Sequence, residues 1–243
     1  MSAVPRLHLL SDLHDVRRVS ELAAHEEVEP TGHAALQPHL PGRGWPLGSL
    51  IELLQDEPTR HVWQLVLPAL AQITQSQPGP VVLVDPPCEP FLPALQAQGL
   101  PASRLLRITT RKPQARLWAA EQALRCADVA AVLAWLPQVK NMELHRLHLA
   151  ASGQQRLLFV MRPMRAQGES SPARLRLAVE AGEGLQVRIV KRRGPPLDRP
   201  VVLPAHPERL AALLASRKGR GIAIPQPQPQ ERSHVLDRPL SLA

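Results

Sequence analysis

This 243-residue chain has no tyrosine, two phenylalanines and four tryptophans, so its core must be built from Leu, Val, Ile and Ala. So few rings also disfavour binding of single-stranded nucleic acid by stacking bases on aromatic platforms. Two cysteines, Cys88 and Cys126, are too few for a disulfide framework or a four-ligand zinc site. Both are flanked by apolar residues and are expected to be buried, inert thiols. No run reaches the roughly 18 apolar residues that a membrane-spanning helix requires. Asp12, Asp15, Arg17 and Arg18 stand where a secretory leader would place its apolar stretch, so a cytoplasmic protein is expected.

What the chain does have is proline, 27 residues of it, and an uneven distribution of charge. The net charge is +8, yet residues 156–220 alone hold 14 basic and 5 acidic residues, a balance of +9. A basic third of this kind suits phosphate, an acidic protein surface or plain solvent. Three segments are expected: a polar, partly helical stretch over 1–30, one folded domain over 31–218, and a Pro/Gln-rich tail over 219–243 that cannot build a core.

Within the domain, short apolar runs alternate with helical patterns. GSLIELL (48–54), VVLVD (81–85), RLLRIT (104–109), DVAAVLAWL (128–136) and RLLFVM (156–161) read as strands. HVWQLVLPALAQITQ (61–75) reads as a helix that Pro68 should bend or break. Further helices are expected near 89–98, over 113–126 with Pro113 in its first turn, and over 141–152. Strands separated by helices predict an α/β fold with a mostly parallel sheet flanked by helices. RLRLAVE (174–180) and LQVRIVK (185–191) then alternate with period two around AGEG, which predicts a C-terminal antiparallel hairpin. Leu175, Leu177 and Val179 share a face with Leu185, Val187 and Ile189; Arg174, Arg176 and Arg188 share the other. These arginines, with Lys191, Arg192 and Arg193, are the candidate partner- or DNA-binding residues. A last amphipathic helix is expected over 207–218.

Several weaker patterns carry blander readings. His145 and His148, with Glu143 nearby, lack the spacing and third ligand of a helical metal site and read as a solvated pair. Ser11, Asp12 and His14 are close in sequence but on no strand-to-helix elbow, so they do not make a catalytic triad. Trp63 and Trp118 read as core, and Trp45 as the anchor of its Gly-Trp-Pro turn. The terminal RPLSLA is only distantly like a sliding-clamp-binding peptide.

The segment TGHAALQPHLPGRGWPLGSLIELL (31–54) resembles the entry to a RecA-type ATPase core, and the later strands follow in a fitting order. LVLPALAQ, RLWAAEQALR, VLAWLP, LLFVMRP and VRIVKRRGPPLDRP together resemble the ImuA proteins of translesion synthesis and their relatives, the SulA cell-division inhibitors. The first resemblance implies a RecA-like sheet. The second implies a non-catalytic accessory role in the DNA-damage-induced mutagenesis complex, with nucleoid association under damage. Its implied partners are an ImuB-like inactive Y-family polymerase, an error-prone C-family polymerase, RecA, and DNA through the basic third. The runner-up is a SulA-like inhibitor that binds FtsZ.

The ATPase parts are missing from that frame. A phosphate loop needs glycines, a lysine and a hydroxyl, and after the first core strand the chain reads QDEPTRHVW (55–63). Asp56 and Glu57 would repel a triphosphate by several kcal/mol at short range. Leu133, Ala134 and Trp135 stand where a metal-holding Asp belongs, and Pro86-Pro87 where a catalytic Glu belongs, with Glu89 displaced. An unusual nucleotide site built on Arg60 or His61 is the lesser alternative. No catalytic residue, cofactor or metal is expected.

Overall fold

The computed structural model describes residues 27–56, 62–110, 112–182 and 184–204. The Ser11–Asp12–His14 group, the stretch before residue 27, residues 57–61 with Arg60 and His61, the helix expected over 207–218 and the tail all lie outside these residues.

The elements follow the apolar runs closely. A two-residue pairing of β1 (Val28–Glu29) with β2 (Trp45–Pro46) precedes the main sheet. Then come β3 (Ser49–Gln55), α1 (Val62–Ser76), β4 (Val81–Val84), α2 (Leu92–Ala97), β5 (Leu105–Ile108) and α3 (Pro113–Arg125). They are followed by β6 (Ala131–Trp135), α4 (Asn141–Gly153), β7 (Leu157–Pro163), β8 (Leu175–Ala181), β9 (Leu185–Lys191) and β10 (Val201–Leu203). The eight-stranded sheet runs β10-β9-β8-β3-β7-β6-β4-β5. Every pairing from β8 to β5 is parallel, and β9 and β10 close the other edge antiparallel. The predicted hairpin is therefore present as β8–β9, extended by β10, which the sequence patterns did not reveal.

Parallel strands joined by helices are covered on both faces, so they are apolar throughout. Ile51, Leu53, Leu83, Leu133 and Phe159 point to one side and pack with Leu65, Leu70 and Ile73 of α1 and Leu95 of α2. Leu50, Val82, Val132, Leu158 and Val160 point to the other, against Leu117 and Leu124 of α3 and Leu144 and Leu147 of α4. Trp45 is fully buried and meets Phe159 edge-on at 5.2 Å, so it anchors its turn as expected.

Pro68 does not break α1, which continues from Val62 to Ser76. A proline has no N–H for the carbonyl four residues back, here that of Gln64, and a neighbouring segment compensates. The His33 ring Nε2 donates to the Leu65 carbonyl at 2.9 Å, with the Gln64 carbonyl also within reach. Gly32 lets the chain approach: its φ is +73°, and a Cβ there would sit 2.3 Å from the Pro68 Cβ. Thr31 Oγ1 accepts the His33 N–H at 3.0 Å and fixes the turn.

A second histidine also differs from expectation. His148 is no solvated group; its Nδ1 accepts the Leu50 N–H at 3.2 Å at the start of β3. Burial pushes both imidazoles below their ordinary 6.5, aided at His148 by Arg174 and His145. The fold thus holds both rings neutral, whereas the unfolded chain protonates them near their ordinary value. Their contribution to stability is complete above that value and is lost as pH falls through it. Thermal melts should therefore show Tm declining as pH drops below about 6.5, with the slope reduced in His148→Gln. A Tm indifferent to pH between about 7 and 5 would contradict this.

Candidate partner-binding surfaces

The structure separates the six basic residues proposed from sequence. Arg176 is not on an outer surface: it is buried and bonded through Nε to Glu52, itself fully buried on β3. Its Nη1 donates to the Gln167 and Glu169 carbonyls at 3.0 and 3.1 Å, and Nη2 to Ala166 at 2.8 Å. Arg162 of β7 completes the cluster, donating to Glu52 Oε1 at 3.0 Å and to Glu169 Oε2 at 2.6 Å. Sequence alternation misplaces Arg176 because the second face of the hairpin is also covered. The short helical segment Met164–Gly168 lies over it, with Leu54, Ala166 and Ala178 packed together there. Arg188 is half-buried and occupied by Gln167 and Glu180.

The other four converge. Arg174, Lys191, Arg192 and Arg193 line one open groove of about 370 Å³, walled by Pro41, Pro46 and Pro172 with Ala173 and Leu175. They meet because β8 begins where antiparallel β9 ends, with Arg176 opposite Lys191 in the register. Lys191 Nζ donates to the Ser171 carbonyl at 2.9 Å, and Arg192 Nε to that of Pro195 at 2.8 Å. Among the described residues no carboxylate lines this groove.

A second surface went unrecognised in the sequence. On α3, Leu117, Ala120, Glu121 and Leu124 are buried, but Trp118 is 63% exposed. It is one position off that buried stripe, and consecutive helical residues are about 100° apart. Glu121 is buried between α3 and α4, held by Arg125 at 2.7 Å and by Arg146 of α4. With Leu149 they line an open groove of about 320 Å³. The Glu121–Arg146 contact ties the two helices together, and Met142 at the start of α4 is 82% exposed. Together the two helices present exposed apolar side chains and arginines.

The carboxyl ends of the strands, where open α/β sheets bind nucleotides, hold other things. Asp85 accepts bonds from the Thr110 N–H, the Thr110 hydroxyl and Arg116 Nε, each at 2.5 Å. Burial would raise its pKa, but these three donors outweigh burial and keep the carboxyl below its ordinary value. Leu133, Ala134 and Trp135 are buried in β6, and Glu89 pairs with exposed Arg107 at 3.7 Å. Among the described residues no group of three or more His, Cys, Asp or Glu could hold a metal ion. Cys88 and Cys126 are exposed, not buried; one follows Pro86-Pro87 in a loop and the other caps α3. No helix among the described residues is long and apolar enough to cross a membrane.

The fold and these two surfaces define an α/β protein with a mixed, mostly parallel sheet and exposed apolar and basic surfaces. The chain belongs to the SulA family. Residues 48–157 match the family model described as cell division inhibitor SulA. The cell division inhibitor SulA of Yersinia enterocolitica is 32% identical over 117 residues, covering 48% of this chain and 69% of the relative. That of Serratia marcescens is 30% identical over 118 residues, covering 49% and 70%. The crystal structure of SulA from Pseudomonas aeruginosa aligns with 46% of this chain and 97% of its own, at 22% identity and a TM-score of 0.39.

These relatives overturn the translesion role expected from sequence. The matched family and proteins are division inhibitors, so the ImuB-like, C-family polymerase and RecA partners fall with that role, as does DNA contact through the basic third. The shared phrases LVLPALAQ, RLWAAEQALR and VLAWLP lie within the matched span.

The two kinds of arginine should respond differently to charge reversal. Arg176→Glu leaves two carboxylates buried together and should lose at least the roughly 3–5 kcal/mol typical of a broken buried ion pair. Arg193→Glu, at an exposed position, should stay within about 0.5 kcal/mol. Urea denaturation checks both; equal losses would show that the buried cluster is misassigned.

Proposed function

We propose that this chain inhibits cell division by binding FtsZ, as part of a response to DNA damage in the cytoplasm. The observation that carries this reading is the 32% identity to a cell division inhibitor across 69% of that protein. The surface on α3 and α4 is our candidate contact, because it lies inside the matched residues 48–157 and combines apolar anchors with arginines. Exposed aromatic and arginine side chains are the usual energetic anchors of protein interfaces.

We read the protein as non-catalytic. In favour of this, the chain after β3 offers no glycine or lysine for a phosphate, and Asp85 is already engaged by three donors. A RecA-like ancestry of the body is supported by the chain order, with the first core strand interior to the sheet and late antiparallel strands at one edge. The continuation VRIVKRRGPPLDRP supports an ImuA-like branch of the family by sequence, while the target follows the SulA relatives.

The test is sedimentation of FtsZ polymers. Stoichiometric protein should move FtsZ from pellet to supernatant, and the Trp118→Ala/Leu149→Ala double variant should need at least about tenfold more, with unchanged melting. Polymers that sediment normally at stoichiometric or tenfold excess protein would overturn the reading.

A further inference from the structure

We propose that the groove between the start of β8 and the end of β9 is a second docking site, which takes an extended acidic segment of a protein partner. The groove lies outside residues 48–157, so nothing in the division-inhibitor reading requires it or depends on it.

Its chemistry selects the occupant. Four cationic side chains line it, and no carboxylate among the described residues does. Lys191 and Arg192 are steadied by the carbonyls of Ser171 and Pro195, which position the charges without neutralising them. Arg193 is exposed and free of any ion pair or hydrogen bond to the described residues. Cations held in place beforehand lose little freedom on binding and attract carboxylates from a distance.

The walls argue for a peptide in preference to a nucleic acid. Pro41 and Pro172, both partly exposed, give the groove apolar walls suited to the aliphatic side chains and extended backbone of a polypeptide. Among the described residues no aromatic ring lines it to stack a base. Its place also argues against a nucleotide, since it sits at the amino end of β8, the edge opposite to where open α/β sheets hold phosphates.

Fluorescence anisotropy with a labelled twelve-residue peptide alternating glutamate with proline and leucine tests the proposal on the full chain. Saturable binding is expected, weakening as salt rises because exposed charges are screened. Lys191→Glu/Arg193→Glu should lose at least about tenfold in affinity while Arg125→Glu loses less than about twofold, with melting curves confirming that each folds. Lys191→Gln/Arg193→Gln should lose an intermediate amount. Unchanged affinity in the reversed variant would overturn the proposal. So would tighter binding of an oligothymidylate of equal charge, or concentration-dependent self-association that the reversal abolishes and the peptide does not displace.

Discussion

The fold depends on one buried carboxylate. Glu52 sits at the middle of β3, between β7 and β8, and each neighbouring strand sends it an arginine. A lone charge there would be prohibitive, because desolvating an ion costs several kcal/mol unless partners and hydrogen bonds offset it. Arg162 and Arg176 offset it, and other N–H groups of theirs reach the carbonyls of Val139, Ala166, Gln167 and Glu169. The cluster therefore joins three strands to the segment that covers them. It also fixes where β8 enters the sheet, and with β8 the position of the hairpin and its groove.

That arrangement divides the molecule by task. The carboxyl ends of the strands are occupied by internal bonds at Asp85 and by the apolar residues of β6. The outer faces of α3 and α4 carry Trp118, Met142 and Leu149, large apolar groups that a monomer gains nothing by exposing. The amino ends of β8 and the far end of β9 carry the clustered cations.

Much of the sheet was legible because buried parallel strands are continuous apolar runs bounded by turn residues, as in VVLVD and RLLFVM. The antiparallel pair β8–β9 was equally plain from its period of two. What alternation could not show was the second covering layer: Arg176 has the spacing of a solvent-facing residue and is buried because Met164–Gly168 folds across it. Pro68 reads as a bend or a break because the contact it receives from Thr31-Gly32-His33 is long-range in sequence. Trp118 reads as core from the apolar face of its helix, yet it stands one position beside the buried stripe and is exposed. The exposed cysteines were misjudged on the same ground, by apolar neighbours in sequence. The site suffered more than the fold, since four of six basic residues share a groove that only tertiary structure assembles.

The family assignment also corrected a reading that rested on phrases common to two related groups. Sequence resemblance favoured the translesion branch on the strength of the continuation after residue 170; the matched relatives carry the division-inhibitor name over the body of the domain. The measurement that bears most directly on the account is calorimetric titration of the purified chain into FtsZ. The account predicts a saturable heat at a defined stoichiometry, and a heat no greater than dilution at micromolar concentrations of both proteins would contradict it.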